Sequence, residues 1–194
     1  MKEKTEYNEV MHNVVGVLEK GGTLLYPTDT IWGIGCDATN AVAVEKIYAI
    51  KQRDHSKSML VLCEDMVMVE RYIGRVGEEA ARLLLSEERP TTVILPITLS
   101  LLADNLVAMD GTIGVRIPRM EFCQGMLHDF GRPLVSTSAN FSGKPSPNCF
   151  ADIDEELLHR VDYCVPAEME CPTDGSSSRI VKVEPDGRIV IIRN

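Results

Sequence analysis

The run Thr112-Ile113-Gly114-Val115-Arg116-Ile117 alternates without a break: Ile113, Val115 and Ile117 share one face, and Thr112, Gly114 and Arg116 share the other. A period of two marks a strand with one buried side. The opposite side sets a cation next to a residue with no side chain, which predicts open space above Gly114, as over a cleft. Working outward, short apolar runs predict strands at residues 23–26, 59–63 and 91–95, one opening at 133–135, one near Tyr163, and two at 180–183 and 188–192. Pro185-Asp186-Gly187 is the turn signal between the last two. Helical stripes alternate with them. Val10, Val14, Val17 and Leu18 precede the stop at Gly21-Gly22, and Val44, Ile47 and Tyr48 follow Asn40, a side chain suited to capping a helix start. Residues 66–73, 78–86 and 121–130 also read as helices. With no repeat and no dividing linker, the pattern predicts one mixed α/β domain over residues 1–194.

Composition narrows the function classes. At 194 residues, 44% hydrophobic and 25% charged, the chain is long enough to build a core with a cleft in it. Lys plus Arg number 20 against 29 Asp plus Glu, a net charge of −9 that repels polyanions and lacks the footprint of a nucleic-acid binder. That balance leaves room for a local basic pocket holding a small anion. No apolar run approaches the roughly 20 residues of a membrane span. The opening MKEKTEYNEV has no apolar core of a secretory signal, so a cytoplasmic protein without membrane contact is expected. The six cysteines (Cys36, Cys63, Cys123, Cys149, Cys164, Cys171) show no zinc or redox spacing, the closest two being 7 residues apart, and read as free thiols. His12, His55, His128 and His159 are scattered.

Four clusters bear on chemistry. Gly33, Gly35 and Ala38 mimic a dinucleotide fingerprint, but the first glycine comes 7 residues after the strand ends at Tyr26, too late for the strand-to-helix turn that motif needs. In Thr28-Asp29-Thr30, an extended backbone points both hydroxyls one way and the acid the other, an arrangement that orients a polar ligand or closes a turn on itself. In Lys51-Gln52-Arg53, with Lys57 beyond, a continuing helix would part the first two charges by about 200°. They converge only if the helix ends near Lys51; a solvated helix terminus is the alternative. Finally, Ser136-Thr137-Ser138-Ala139-Asn140, Ser142 and Ser146-Pro147-Asn148 crowd small polar groups onto one loop, a neutral cradle for phosphate or carboxylate. No histidine or lysine is placed to activate a serine nucleophile.

In order along the chain, PTDTIWGIGCDA, KQR, IGVRIP, TSAN-x-SG with PSP, and a serine-rich turn into a strand ending in Arg193 resemble the YrdC-like family. The likeness is to its short, single-domain subgroup, which makes L-threonylcarbamoyladenylate. The resemblance implies a twisted mixed sheet, flanked by helices, around an open basic cavity. It implies that Thr28, Thr30, Arg116, Ser138 and Ser178 hold threonine or its carbamate, and that Arg53, Lys57, Thr112, Asn140, Asn148 and Arg193 hold ATP. Lys51 would join the same basic wall, with Lys51, Arg53 and Arg116 catalytic. The implied reaction takes L-threonine, bicarbonate (or CO2) and ATP to threonylcarbamoyl-AMP and pyrophosphate. Mg²⁺ would arrive with ATP, and Asp29 is the one motif acid that could stand near it. Separate enzymes would then move the threonylcarbamoyl group to tRNA beside the anticodon, with at most weak tRNA or double-stranded-RNA contact by this chain. Trp32 stands where the family usually has tyrosine, and Asp54 where it often has proline. Two other readings remain at this point: a non-catalytic double-stranded-RNA or ribosome-assembly binder, which the net charge disfavours, and a carbamoyl transfer in metallocentre maturation, which belongs to larger chains.

Overall fold

The computed structural model describes residues 2–55, 59–86, 88–99, 101–171, 173, 175–184 and 188–194. Its strands are β1 (Leu24–Tyr26), β2 (Gly33–Gly35), β3 (Leu60–Leu62), β4 (Thr91–Pro96), β5 (Thr112–Arg116), β6 (Leu134–Ser138), β7 (Tyr163–Cys164), β8 (Arg179–Val183) and β9 (Ile189–Arg193). Its helices are α1 (Lys2–Glu19), α2 (Ala41–Lys51), α3 (Met66–Tyr72), α4 (Glu78–Leu85), α5 (Glu121–Phe130) and α6 (Glu155–Leu158). The strands form one sheet in the order β7-β1-β2-β6-β3-β5-β4-β8-β9. The pairs β1–β7, β3–β5 and β4–β8 are parallel and the others antiparallel, so the sheet is mixed.

Register across the middle of the sheet is set by valine. Val135, Val61, Val115, Val93 and Val181 pair in one continuous row, one from each of β6, β3, β5, β4 and β8. All five are fully buried, in the same core as Val14 and Leu18 of α1, Val44 and Ile47 of α2, and Phe122 and Met126 of α5. Side chains branched at Cβ suit such a pleated, covered surface. The neighbouring row, Ser136, Leu60, Gly114 and Ile94, must then look to the opposite side. Gly114 is the narrow point of that row: a Cβ there would lie 3.1 Å from Thr92 Cγ2 and 3.3 Å from Leu60 Cβ.

Helix ends follow local chemistry. Asn40 Oδ1 accepts the Val42 and Ala43 N–H groups at 3.0 and 3.1 Å, the cap expected for α2. α2 stops where Gln52 turns left-handed at φ 50°. Tyr7 of α1 meets Phe122 of α5 edge to face at 6.3 Å, over Gly125.

One segment departs from expectation. Residues 33–35 form strand β2 instead of continuing the loop after β1. A Cβ on Gly35 would lie 2.2 Å from the Val135 carbonyl oxygen and 2.8 Å from the Tyr26 ring. Close strand packing therefore accounts for this glycine, with no nucleotide required. The turn expected at residues 185–187 lies outside the described residues. All six cysteines are free, and burial pushes the Cys36, Cys63 and Cys123 thiols well above their usual range. Among the described residues, no helix is long and apolar enough to cross a membrane.

Ile113 shares the valine face and is 1% exposed. Ile113→Ala should lower stability by ~2–5 kcal/mol, the usual cost of such a cavity, read as a drop in melting temperature with the ligand-facing side of β5 untouched.

Candidate active site

Opposite the valine row lies a cavity of about 240 Å³. Its floor is Leu60, Ile94, Gly114 and Ile180. Its walls are Thr28 and Thr30 to Gly33 in the segment leading from β1 into β2, Ser136 to Ser138 of β6, Ser146, and Ser177-Ser178. Three guanidiniums enter it, from Arg53, Arg116 and Arg193, and among the described lining residues there is no Asp, Glu or His. This is the local basic pocket on an acidic body that the composition allowed. Its volume is below the roughly 300–1,000 Å³ that encloses a drug-sized ligand. It therefore encloses an amino-acid-sized group and leaves anything larger in the open mouth.

Arg116 ends β5 and is 3% exposed. Its Nη1–H donates to Thr30 Oγ1 at 2.8 Å, its Nη2 stands 3.4 Å from Asp29 Oδ1, and its Nε–H has no partner. Thr28 Oγ1 lies 2.9 Å from Thr30 Oγ1 and donates its own hydrogen to the Ile31 carbonyl at 2.7 Å. A hydroxyl has one hydrogen, so Thr30 must be the donor to Thr28. The donors run Arg116 to Thr30 to Thr28 to Ile31. The two hydroxyls meet across a bend at residues 29–31, where Thr28 Oγ1 also accepts the Thr30 N–H at 3.1 Å, so the segment closes a turn on itself as well as facing the cavity. Asp29 turns outward, where it also accepts the Arg119 N–H at 3.1 Å. It is thus engaged by Arg116 and absent from the lining, which corrects its nomination as a metal neighbour. Among the described lining residues, the donor set holds no carboxylate that would fit a protein-held Mg²⁺.

The helix does end at Lys51, yet the two cations part. Arg53 enters the cavity, and burial lowers its pKa. Lys51 turns behind the cradle loop and is 1% exposed. Its Nζ donates to the carbonyls of Ser138 and, at 2.6 Å, Asn140. Burial first, and Arg53 second, push its pKa down to about 7. Asn140 is likewise absorbed by the loop. Its Oδ1 accepts the Ser138 hydroxyl at 2.5 Å, and its Nδ2 donates to the Phe141 and Lys144 carbonyls. Lys51 and Asn140 thus shape the cradle instead of lining it.

Thr112 has the right parity but sits at the far end of β5, tied to Asp110 Oδ1 at 2.6 Å. Asn148 is exposed beside Gly175 and outside the lining. Lys57 falls outside the described residues. Ser178 does line the cavity: its Oγ is 2.8 Å from Thr92 Oγ1, and its carbonyl accepts from Arg193 at 2.7 and 3.2 Å. Sequence reasoning missed Thr92. Its only signal was parity, since it stands two residues from Ile94 and so on the same face of β4.

The profile of the Sua5–YciO–YrdC family, described as "Telomere recombination", matches residues 16–194. The chain belongs to this family. It is 33% identical over 159 residues to the threonylcarbamoyl-AMP synthase of Xanthomonas campestris pv. campestris (strain B100), covering 80% of this chain and 84% of that one. To the Photobacterium profundum protein of the same name it is 29% identical over 170 residues, covering 84% and 91%. P. abyssi Sua5, solved in complex with L-threonine, superposes with a TM-score of 0.85 at 23% identity, over 96% of this chain and 54% of that one. E. coli YciO superposes with a TM-score of 0.81 at 24% identity, over 97% and 89%. These two superpositions establish the Sua5–YciO–YrdC fold for this chain, which spans about half the length of Sua5.

The buried lysine has a consequence for stability. Its pKa of about 7 lies below the ordinary 10.5, so between those values the unfolded chain binds more protons and stability rises with pH. Lys51→Met should remove that slope, at most ~1.4 kcal/mol per pH unit, over the range from about pH 7 to about 8.5, before unfolded thiols titrate. Denaturant unfolding of both proteins across that range is the measurement; parallel curves would show that Lys51 does not titrate there.

Proposed function

We propose that this chain is a threonylcarbamoyl-AMP synthase that joins L-threonine, bicarbonate and ATP into L-threonylcarbamoyladenylate and pyrophosphate. The observation that carries the reading is the cavity itself: three arginines and a ring of hydroxyls, with no carboxylate among the described lining residues, on a chain one-third identical to proteins of that name. The threonine amine attacks the bicarbonate carbon, an N–C bond forms and water leaves. A carbamate oxygen then attacks the α-phosphorus, and the bond to the bridging oxygen breaks as pyrophosphate departs with the electron pair. No protein nucleophile takes part. Arg116 and Thr30 hold threonine at the closed end. Arg53 and Arg193 meet the phosphates in the mouth. Catalysis is then positioning plus fixed charge in a site that excludes water. Mg²⁺ would enter with ATP, since the described lining residues supply no acid to hold it. The product passes to separate enzymes that act on tRNA.

Pyrophosphate release should require threonine, bicarbonate and ATP together. Serine should be poorer only modestly, since one methyl is worth ~1–3 kcal/mol; equal rates with every amino acid would sink the threonine assignment.

Arg116→Lys keeps a cation for Asp29 but loses the planar fork. It should leave the melting temperature nearly unchanged and lower kcat/KM about ten- to a hundredfold, the effect of one lost charged hydrogen bond. Unaltered kcat/KM would place the substrate elsewhere.

A further inference from the structure

Trp32 is the chain's only tryptophan, and its side chain is a wall of the cavity, 2% exposed. A buried indole N–H needs an acceptor. It finds one far along the chain: Nε1–H donates to Glu170 Oε1 at 2.6 Å. The same oxygen accepts the Phe150 N–H at 3.2 Å. The Phe150 ring in turn lies against the indole, with centroids 5.0 Å apart and planes inclined by 59°. One carboxylate oxygen thus ties together three stretches distant in sequence. Each reaches the cavity close by: Trp32 directly, Ser146 just before Phe150, and Ser177-Ser178 just after Glu170.

We propose that Glu170 is a positioning residue for the ligand site, holding the indole wall and the two flanking segments in register without touching substrate. Two donors share one ionised acceptor, and hydrogen bonds to a carboxylate are about twice as strong as neutral ones. Phe150 closes the back of the indole, so the ring has one place to sit. Releasing the carboxylate frees the N–H to seek water and the ring to turn into the cavity. Binding then weakens before chemistry does. A glutamine retains a carbonyl oxygen at the same reach, and so retains both bonds without the charge.

The inference rests on reading this cavity as the substrate site, but its first test does not. Emission from the lone tryptophan, and its quenching by acrylamide, report the place of Trp32 in the full chain with no substrate present. Glu170→Ala should move the emission to longer wavelength and make it more quenchable, and Glu170→Gln should restore both. In pyrophosphate release, Glu170→Ala should raise the KM values for threonine and ATP about tenfold, as for one lost hydrogen bond, with kcat changed far less. Glu170→Gln should stay near wild type. Once Trp32→Phe is in place, Glu170→Ala should raise KM little further. If Glu170→Ala does not fold, the emission of Glu170→Gln and the KM of Trp32→Phe decide in its place. The proposal is overturned if Glu170→Ala leaves emission and KM unchanged, if Glu170→Gln is as defective as Glu170→Ala, or if Trp32→Phe leaves KM unchanged. A wild-type chain that releases no pyrophosphate would defeat the reaction assigned above while the emission still judges Glu170.

Discussion

A row of five buried valines, one on each of five neighbouring strands, decides which side chains are free to meet a ligand. The side-chain period of a strand is two. Slipping any of these strands by one residue would turn a valine into the cavity and Arg116, Thr92 or Ser136 into the core. A guanidinium in an apolar core without its partners is among the costlier errors a domain can make, and a domain's whole stability is only ~5–15 kcal/mol. Folding correctly and presenting the site are therefore one condition. The floor residues inherit their positions from the valines: Gly114 and Arg116 lie on either side of Val115, and Thr92 and Ile94 on either side of Val93.

Arg116 shows how a nearly buried cation is tolerated. Asp29 neutralises it from the outer side and Thr30 accepts from it on the inner side, while its Nε is a buried nitrogen with no hydrogen-bond partner among the described residues. An arrangement fixed before the ligand arrives needs no reorganisation when it does. The cradle loop is held on the same principle from behind, where the Lys51 ammonium is committed to two main-chain carbonyls. Two cations two positions apart thus take opposite tasks, because Gln52 breaks the helix between them.

The parts legible in the sequence were those governed by local rules. The alternation of residues 112–117 and the Asn40 cap each needed only neighbouring residues, and each stands as read; the end of α2 at Lys51 was left open by the sequence and is decided by the left-handed turn at Gln52. The same alternation carried Arg116, while Thr28 and Thr30 meet across a bend at residues 29–31 and not along the extended backbone that was expected. What stayed hidden depended on partners far away in the chain. β2 was illegible because its glycines answer to other strands, Gly35 to Tyr26 and Val135 and Gly33 to Ser136 and Thr137. Lys51 and Asn140 looked like ligand contacts because nothing local reveals that they satisfy each other's loop. Thr112 was given the correct face, but parity says nothing of distance along a strand. Thr92 and Glu170 carried no motif at all: one matters through its hydroxyl contact with Ser178, the other through Trp32.

The distribution of charge completes the argument. A net charge of −9 acts at long range, across a surface where salt screens over roughly 8 Å. The three arginines act at short range, inside walls that water and salt penetrate poorly. A small polyphosphate can leave the acidic exterior behind by entering the cavity, where every charge among the described lining residues is positive. A nucleic acid cannot, because most of its phosphates would remain against the repelling surface. On the function proposed above, a protein so charged is suited to handling RNA chemistry at one remove, by making a small activated carrier that leaves the cavity and meets the RNA elsewhere.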